Sequence, residues 1–391
     1  MNFDLTQEQK LLIKTVREFV QKELLPLENI VEQNGFLDSK DSIRIRKLSQ
    51  KLGLYAANIP SEYGGGGLSI FEWMLLEEQF GHTTDILIRR AFGNVYEILL
   101  RGTHEQIEQW LIPAVRGERT FSIAFTEPEA GSDAAGISST AKKNKDQWLL
   151  NGKKHYISDG AYSDFFVVTA ITDPKAGPKG ISTFIIDKDT AGLSVGRDQQ
   201  MMGLRGTSHV ELFFENVILT KKNLLGEEGQ GLKLALETLG TIRLAQVGAR
   251  AVGKATRILN LTIEHATNRK QFKQPIANFQ MIQSMLTDSA IEINSARLAL
   301  WQTAVGLDKG QKSKANISMV KIQASEILNR VADRAVQIFG GMGYSKEMPI
   351  EKYFRDARIY RIYDGTSEIH RTIVAKALSK GASHLYDGGF S

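Results

Sequence analysis

The sequence predicts a mainly α-helical protein with a β domain in its middle. Apolar residues recur at helical intervals towards both ends, while three runs rich in β-branched and aromatic residues fall between residues 119 and 228. At 391 residues, 42% hydrophobic and 24% charged, the chain can bury a large core and is long enough for two or three domains. The expected arrangement is an N-terminal helical domain over 1–118, a small β domain of barrel or sheet form over 119–228, and a C-terminal helical bundle domain over 229–391.

Each element has a local reason. Thr6 is a natural N-cap, and Leu11, Ile13, Val16, Phe19 and Val20 follow it at helical spacing, with Lys22 to Leu25 continuing the pattern up to Pro26. Similar periodicity predicts helices from Ile70 to Phe80 and from Glu105 to Val115. Gly64 to Gly67 must form a loop, because four successive glycines cost a helix or strand too much backbone entropy, and no Gly-Lys-Ser/Thr follows to make a phosphate loop. In the middle, Phe165 to Ala170, Ile181 to Ile186 and Val210 to Val217 read as strands, and Asn151-Gly152 favours a type I′ hairpin. After Gly229, apolar residues from Leu232 to Ala266 keep helical intervals, and further helices are predicted from Gln280 to Val305 and Ala315 to Phe339. Three helices this long need one another or a partner subunit to cover their apolar stripes.

Composition removes several classes of function. There is no cysteine, which excludes a disulfide framework, a cysteine nucleophile and a thiolate metal site; seven scattered histidines give no case for a metal. A net charge of +5, with both signs interspersed, suits a polyanionic small ligand but does not point to nucleic acid. The start lacks a basic segment followed by an apolar run, and no window approaches the roughly 20 apolar residues of a membrane span. A soluble, cytoplasmic protein is expected.

Four segments carry the chemistry. Arg361-Ile362-Tyr363-Asp364-Gly365-Thr366-Ser367-Glu368-Ile369-His370-Arg371 puts a carboxylate on a glycine-containing turn before a helical stretch, where the missing Cβ of Gly365 permits close approach of a ligand. An Asx turn or helix N-cap at Asp364 would give the same pattern. Thr126 to Asp133 join a β run to the small residues Ala134-Ala135-Gly136; their hydroxyls and amides can face a ligand or simply make turns. In Tyr156-Ile157-Ser158, strand alternation sends Tyr156 and Ser158 to one side. Arg269, with Gln271 and Phe272, ends a predicted helix, where the dipole favours a cation.

Taken together, Ala124-Phe125-Thr126-Glu127-Pro128-Glu129-Ala130-Gly131-Ser132-Asp133, Asn268-Arg269-Lys270-Gln271-Phe272, Gln337-Ile338-Phe339-Gly340-Gly341-Met342-Gly343-Tyr344 and the Asp364 segment resemble the signatures of the acyl-CoA dehydrogenase family. They follow the family's order over nearly the whole chain. The resemblance implies helical, β and four-helix-bundle domains, a homotetramer built as a dimer of dimers, and FAD as cofactor. It implies that Thr126 contacts the flavin ring, that Ser132 lies beside the FAD pyrophosphate and the substrate, and that Tyr156 and Ser158 supply an aromatic face and a hydroxyl at the ring. It places Arg269, Gln271, Phe272, Gln337, Gly340 and Gly341 at a cross-subunit FAD site, and Thr366 and Glu368 among the FAD contacts. Arg243, Tyr363 and Gly365 fall on the substrate side, and Asp364 is the base that removes the α-proton of a thioester while hydride leaves for flavin N5.

The chain departs from the family at informative positions. Asp364 stands where most members have glutamate, shortening the base by one methylene; a displacement of about 1 Å can cost on the order of 100-fold in rate. The alternative position for a base, just before Arg243, holds Thr241 and Ile242, neither a carboxylate. Gly240 replaces a common acidic residue, Lys273 replaces a common glycine, and the interval from Arg243 to Gly253 is one residue longer than usual. The expected function is FAD-dependent α,β-dehydrogenation of an acyl thioester on CoA or an acyl-carrier protein, with electrons passing to an external acceptor such as an electron-transfer flavoprotein. Two other readings fit the same fold: a flavin oxidase of the nitroalkane oxidase type, whose base is aspartate, and a non-catalytic flavoprotein associated with nucleic acid.

Overall fold

The computed structural model describes residues 4–311 and 314–387. Helix α1 (Gln7–Phe19) opens on a capping box: the Gln9 amide donates to Thr6 Oγ1 at 3.2 Å, and the Thr6 amide donates to Gln9 Oε1 at 3.0 Å. It continues through a π-helical turn, Val20–Leu24, to a 3-10 turn at Leu25–Leu27 that contains Pro26. Helices α2 (Glu28–Asn34), α3 (Ser39–Lys51), α4 (Ile70–Phe80) and α5 (Asp85–Phe92) follow, and a composite helical stretch runs from His104 to Val115. The four glycines lie in the loop before α4. Gly64 and Gly67 have φ of +87° and +63°, and a Cβ on Gly65 would sit 2.1 Å from the Ile59 carbonyl oxygen.

The middle of the chain forms one eight-stranded sheet. Its strands are β1 (Phe121–Ala124), β2 (Thr140–Asn144), β3 (Gln147–Ser158), β4 (Phe165–Ile171), β5 (Ile181–Asp187), β6 (Leu193–Asp198), β7 (His209–Thr220) and β8 (Leu224–Leu225). They lie in the order β6-β7-β3-β2-β4-β5-β8, with β1 added parallel to β4. Asn151-Gly152 is not the hairpin turn expected from its sequence. It lies within β3, where the register against β7 slips between Leu150 and Gly152. The Asn151 side chain is locked to Asn216, accepting from its amide at 2.8 Å. The turn between β2 and β3 falls instead at Lys145-Asp146, with Lys145 at φ +57°.

The C-terminal part contains α6 (Gly231–Ile242), a π-helical segment Arg243–Ala249, and then α7 (Arg250–Asn268), α8 (Gln280–Asp308), α9 (Lys314–Phe339), α10 (Ile350–Arg358) and α11 (Ser367–Leu378). The two helical parts are not separate bodies. One apolar core runs from Val16, Trp73 and Phe92 through Val252, Leu300 and Leu328 to Tyr353. A polar tie reinforces it: at the end of α8, the Asp308 carboxylate accepts from the amides of Ile70 and Phe71 at 2.8 and 3.0 Å, capping α4.

Candidate active site

Around Asp364, the π-helical segment after α6, helix α9 and the turn before α11 meet. Asp364 and Gly365 are both left-handed, at φ +55° and +92°. This turn reverses the chain between α10 and α11, and Thr366 caps α11, accepting from the Ile369 amide at 3.2 Å. The cap is therefore Thr366 and not Asp364. Among the described residues nothing donates to the Asp364 carboxylate, and its amide finds no acceptor.

What holds Asp364 is its carbonyl. Arg243 Nε donates to it at 2.6 Å, and His370 Nε2 lies 3.1 Å from it. His370 Nδ1 is 2.9 Å from Ser318 Oγ. Burial pushes the His370 imidazole down to about 4, so it is neutral at physiological pH, with Nε2–H donating to Asp364 and Nδ1 accepting from Ser318. Two donors on one carbonyl fix a left-handed backbone that a residue with a Cβ adopts reluctantly. Gly365 is required beside it, since a Cβ there would lie 2.9 Å from His370 Nε2.

Burial raises the Asp364 carboxyl above the ordinary carboxylate range, against the opposing charges of Arg243, Lys321, Arg89 and Arg250. Lys321 is fully buried on α9, and its Nζ has no hydrogen-bond partner among the described residues. Burial brings its pKa down to about 8 despite the neighbouring Asp364 charge.

The chain after α6 is wound into the π-helical segment Arg243–Ala249, whose turns are wider than those of an α-helix. Three polar side chains of this segment and the start of α7 make contacts distant in the chain. Arg243 meets Asp364; Gln246 Nε2 lies 3.4 Å from Asn94 Oδ1 and 3.5 Å from the Tyr96 hydroxyl; Arg250 reaches Glu77 and Asp85.

On the β side, the His155 amide donates to the Thr126 carbonyl at 2.9 Å, bringing Thr126 next to the Tyr156-Ile157-Ser158 stretch. A buried ion pair supports this junction: Lys154 Nζ donates to Glu127 Oε1 at 2.8 Å, and Glu127 also accepts from the Ser138 amide at 2.6 Å. Burial opposes ionisation of Glu127, but Lys154 and these donors outweigh it and hold its carboxyl at about 2. Tyr156 is 53% exposed at φ +56°, Ile157 is buried and Ser158 half-buried, as alternation requires. Upstream the alternation fails, because the ladder skips from Lys154 to Ile157. Asp159 then receives a two-point bond from Arg90 at 2.7 and 3.1 Å, fastening the end of β3 to α5. Ser132 is exposed in the loop after β1.

Arg269, Gln271, Phe272, Gln337, Gly340 and Gly341 are all exposed. They gather at one end of the bundle, where Ala266, Ile276 and Ile338 pack together and His265 stacks on Phe339 with ring centres 4.0 Å apart. Phe272 and Lys273, at φ +49° and +67°, form the two-residue turn of a short hairpin, which accounts for the glycine expected at Lys273. Glu368 is exposed in the first turn of α11, and Tyr363 is half-buried against Tyr360, 5.3 Å between ring centres.

The N-terminal, middle and C-terminal domain models of acyl-CoA dehydrogenase match residues 6–118, 122–217 and 229–379. The chain belongs to the acyl-CoA dehydrogenase family. It is 37% identical over 381 residues to the mitochondrial short-chain specific acyl-CoA dehydrogenase of Bos taurus, covering 96% of this chain and 91% of that one. It is 35% identical over 386 residues to the caffeyl-CoA reductase-Etf complex subunit CarC of Acetobacterium woodii, covering 96% and 99%. Butyryl-CoA dehydrogenase from Megasphaera elsdenii has the same fold, with a TM-score of 0.88 at 34% identity over 97% of this chain and 100% of that one. The protein is thus an oxidoreductase of a family acting on CH–CH bonds with FAD as cofactor. Among the described residues no helix is long and apolar enough to cross a membrane.

The residues present fit that cofactor. The exposed Tyr156 ring and the nearby Thr126 and Ser158 hydroxyls offer an apolar face with hydrogen-bonding groups, and the exposed Arg269 and Gln337 offer donors to phosphate. Sequence reasoning did not find His370, Lys321, Gln246 or the Lys154–Glu127 pair. His370 lay inside a quoted motif, but nothing in it marked Ser318, 52 positions earlier, as its partner.

Proposed function

We propose that the protein oxidises an acyl thioester to its α,β-unsaturated form, with Asp364 as the base. The observation that supports this reading is the state of Asp364: its carbonyl is held from two sides while its carboxylate and amide have no hydrogen-bond partner among the described residues. In this reading the carboxylate takes the proton from the α-carbon. The Asp364 amide donates to the thioester oxygen as negative charge develops there. Bound FAD supplies the acceptor for the hydride from the β-carbon, so the acyl chain loses two electrons. Arg243 and His370 are positioning residues, fixing the direction of the base through its carbonyl.

Thr126, Ser158 and Tyr156 would hold the ring end of FAD, with Ser132 beside the pyrophosphate and the substrate. Thr366 and Glu368 would also serve FAD, and Arg269, Gln271, Phe272, Gln337, Gly340 and Gly341 would serve the FAD of a neighbouring subunit in a homotetramer. Tyr363 and Gly365 would flank the thioester. Domain boundaries at 118/119 and 228/229 belong to the same reading. The likeness to an Etf-complex subunit supports an electron-transfer flavoprotein as the external acceptor.

The test is anaerobic flavin reduction by a panel of acyl-CoA thioesters. Asp364→Asn should lose about 10²–10⁴-fold in reduction rate, and Asp364→Glu should retain or improve it. Equal reduction by the Asn variant would move the base elsewhere.

A further inference from the structure

We propose that Arg90, on α5, is a positioning residue for the flavin: by gripping Asp159 it sets the direction of the Ser158 hydroxyl, and so the reduction potential of the bound FAD. The inference rests on the reading above that Ser158 meets the flavin ring, and it adds how that hydroxyl is aimed.

The backbone that carries Ser158 is held at several points. At the end of β3, Asp159 turns into the left-handed region at φ +62°, and its amide donates to the Ser208 carbonyl at 2.7 Å. The Tyr162 amide donates to the Asp159 carbonyl at 2.9 Å and closes the turn. Gly160 is required within it, since a Cβ there would lie 2.5 Å from Val210 Cγ2. From β1, Ser122 Oγ donates to the Ser158 carbonyl at 2.6 Å. Having given its one hydrogen to that carbonyl, Ser122 accepts from Ser163 Oγ at 2.7 Å. Both serines are buried. What these bonds leave over is the Ser158 hydroxyl itself, half-buried and without a hydrogen-bond partner among the described residues.

Arg90 reaches this turn from the helical body. Its Nη1 and Nη2 donate to the two Asp159 oxygens at 2.7 and 3.1 Å, and the paired side chains are only 17% and 14% exposed. Such a two-point bond fixes angle as well as distance. The guanidinium also lies over the Tyr162 ring, 5.3 Å from its centre, so it touches both ends of the turn. The other bonds named here arise within the β domain. Helix α5 shares its apolar core with the bundle, so Arg90 refers the Ser158 hydroxyl to the same body that carries Asp364. Without Arg90, the largely buried Asp159 carboxylate loses its cation and turns towards water, and the left-handed turn goes with it. Groups bonded near flavin N5 stabilise the oxidised and reduced ring unequally, so a hydroxyl that loses its aim changes the potential. A clamp that served stability alone would leave the potential where it was.

The experiment measures, by equilibration with reference dyes, the two-electron potential of the FAD-loaded wild type, Ser158→Ala, Arg90→Gln, Arg90→Lys and the double variant Ser158→Ala/Arg90→Gln. Ser158→Ala should change the relative affinity for reduced and oxidised flavin by about tenfold, a shift of about 30 mV. Arg90→Gln should give at least about half of that shift in the same direction, and the double variant no more than Ser158→Ala alone, because Arg90 acts through the hydroxyl. Arg90→Lys, which keeps the charge and loses the fork, should fall between wild type and Arg90→Gln. A potential unchanged in Arg90→Gln, or shifts that add in the double variant, would overturn the proposal. Where Arg90→Gln does not fold, Asp159→Asn takes its place with the same outcomes, since asparagine tolerates the left-handed turn but lacks the charge that Arg90 grips. A potential unmoved by Ser158→Ala would sink this inference together with the place of Ser158 at the ring, while flavin reduction by thioesters would leave the role of Asp364 standing. Failure of every thioester to reduce the flavin, with the potentials shifting as expected, would sink the dehydrogenation and support this inference.

Discussion

Asp364 works under opposing pressures. Burial favours its neutral form, yet a base must be ionised, and the nearby cations offset part of that burial. Replacing Lys321 by Met removes one of those cations, so the Asp364 pKa should climb further and the acid limb of kcat/KM should move to higher pH; pH profiles of the two enzymes check this. The same raised pKa has a consequence for stability. A carboxyl whose pKa is higher in the folded than in the unfolded state contributes most below its unfolded pKa, and loses that contribution as pH rises through its folded pKa. Asp364→Asn, which has no charge to bury, should therefore melt higher than wild type at neutral pH, with the gap closing in acid. Thermal melts across pH test the sign. The motif around Asp364 was legible in the chain because it is local. Its anchoring was not, because Arg243, which holds its carbonyl, and Ser318, which holds His370, come from 121 and 46 positions away and only the fold brings them together.

The helices and strands were readable wherever period and caps agreed. Ile70–Phe80 appears as the spacing predicts, started by a Ser69 capping box with Glu72. The strands at Phe165, Ile181 and Val210 appear too, each extended by a residue or more. Asn151-Gly152 misled because its dipeptide signal reports a tolerance of positive φ, which serves a bulge as well as a turn. Gly152 sits at φ +148°, and a Cβ there would lie 2.3 Å from Ser139 Oγ and 2.7 Å from Ser139 Cα. Gly152→Ala should cost about 1–3 kcal/mol in chemical denaturation, whereas the same change at an ordinary loop glycine would cost little. Lys154→Met, which leaves the Glu127 carboxylate buried without its cation, should cost about 3–5 kcal/mol and loosen the loop carrying Thr126. Denaturation curves and FAD content report the two effects separately.

Across the whole protein, the helical ends behave as one body packed against a sheet. Val16 and Trp73 from the first part share a core with Val252 and Leu328 from the last, so the β domain is an insertion into a continuous helical body. One end of that body stays uncovered: Phe272 is 87% exposed, Met281 79% and Tyr344 85%. Large apolar side chains left in water mark contact surfaces. In the proposed assembly this end meets the FAD of a neighbour. Sedimentation should then give four chains per particle, and Phe272→Asp should dissociate it. Arg269→Ala should weaken FAD retention in gel filtration without changing the far-ultraviolet dichroism.

The order of helical and β segments, the capping signals, the absence of cysteine and the four short motifs were all fixed by neighbours in the chain, because period, caps and turn residues act over a few positions. The fusion of the two helical parts into one core, the Arg243 anchor on the Asp364 carbonyl and the burial of Lys321, whose Nζ has no hydrogen-bond partner among the described residues, were decided only by the folded chain. Each depends on groups distant in sequence meeting in a space that water has left, and spacing along the chain carries no record of that meeting.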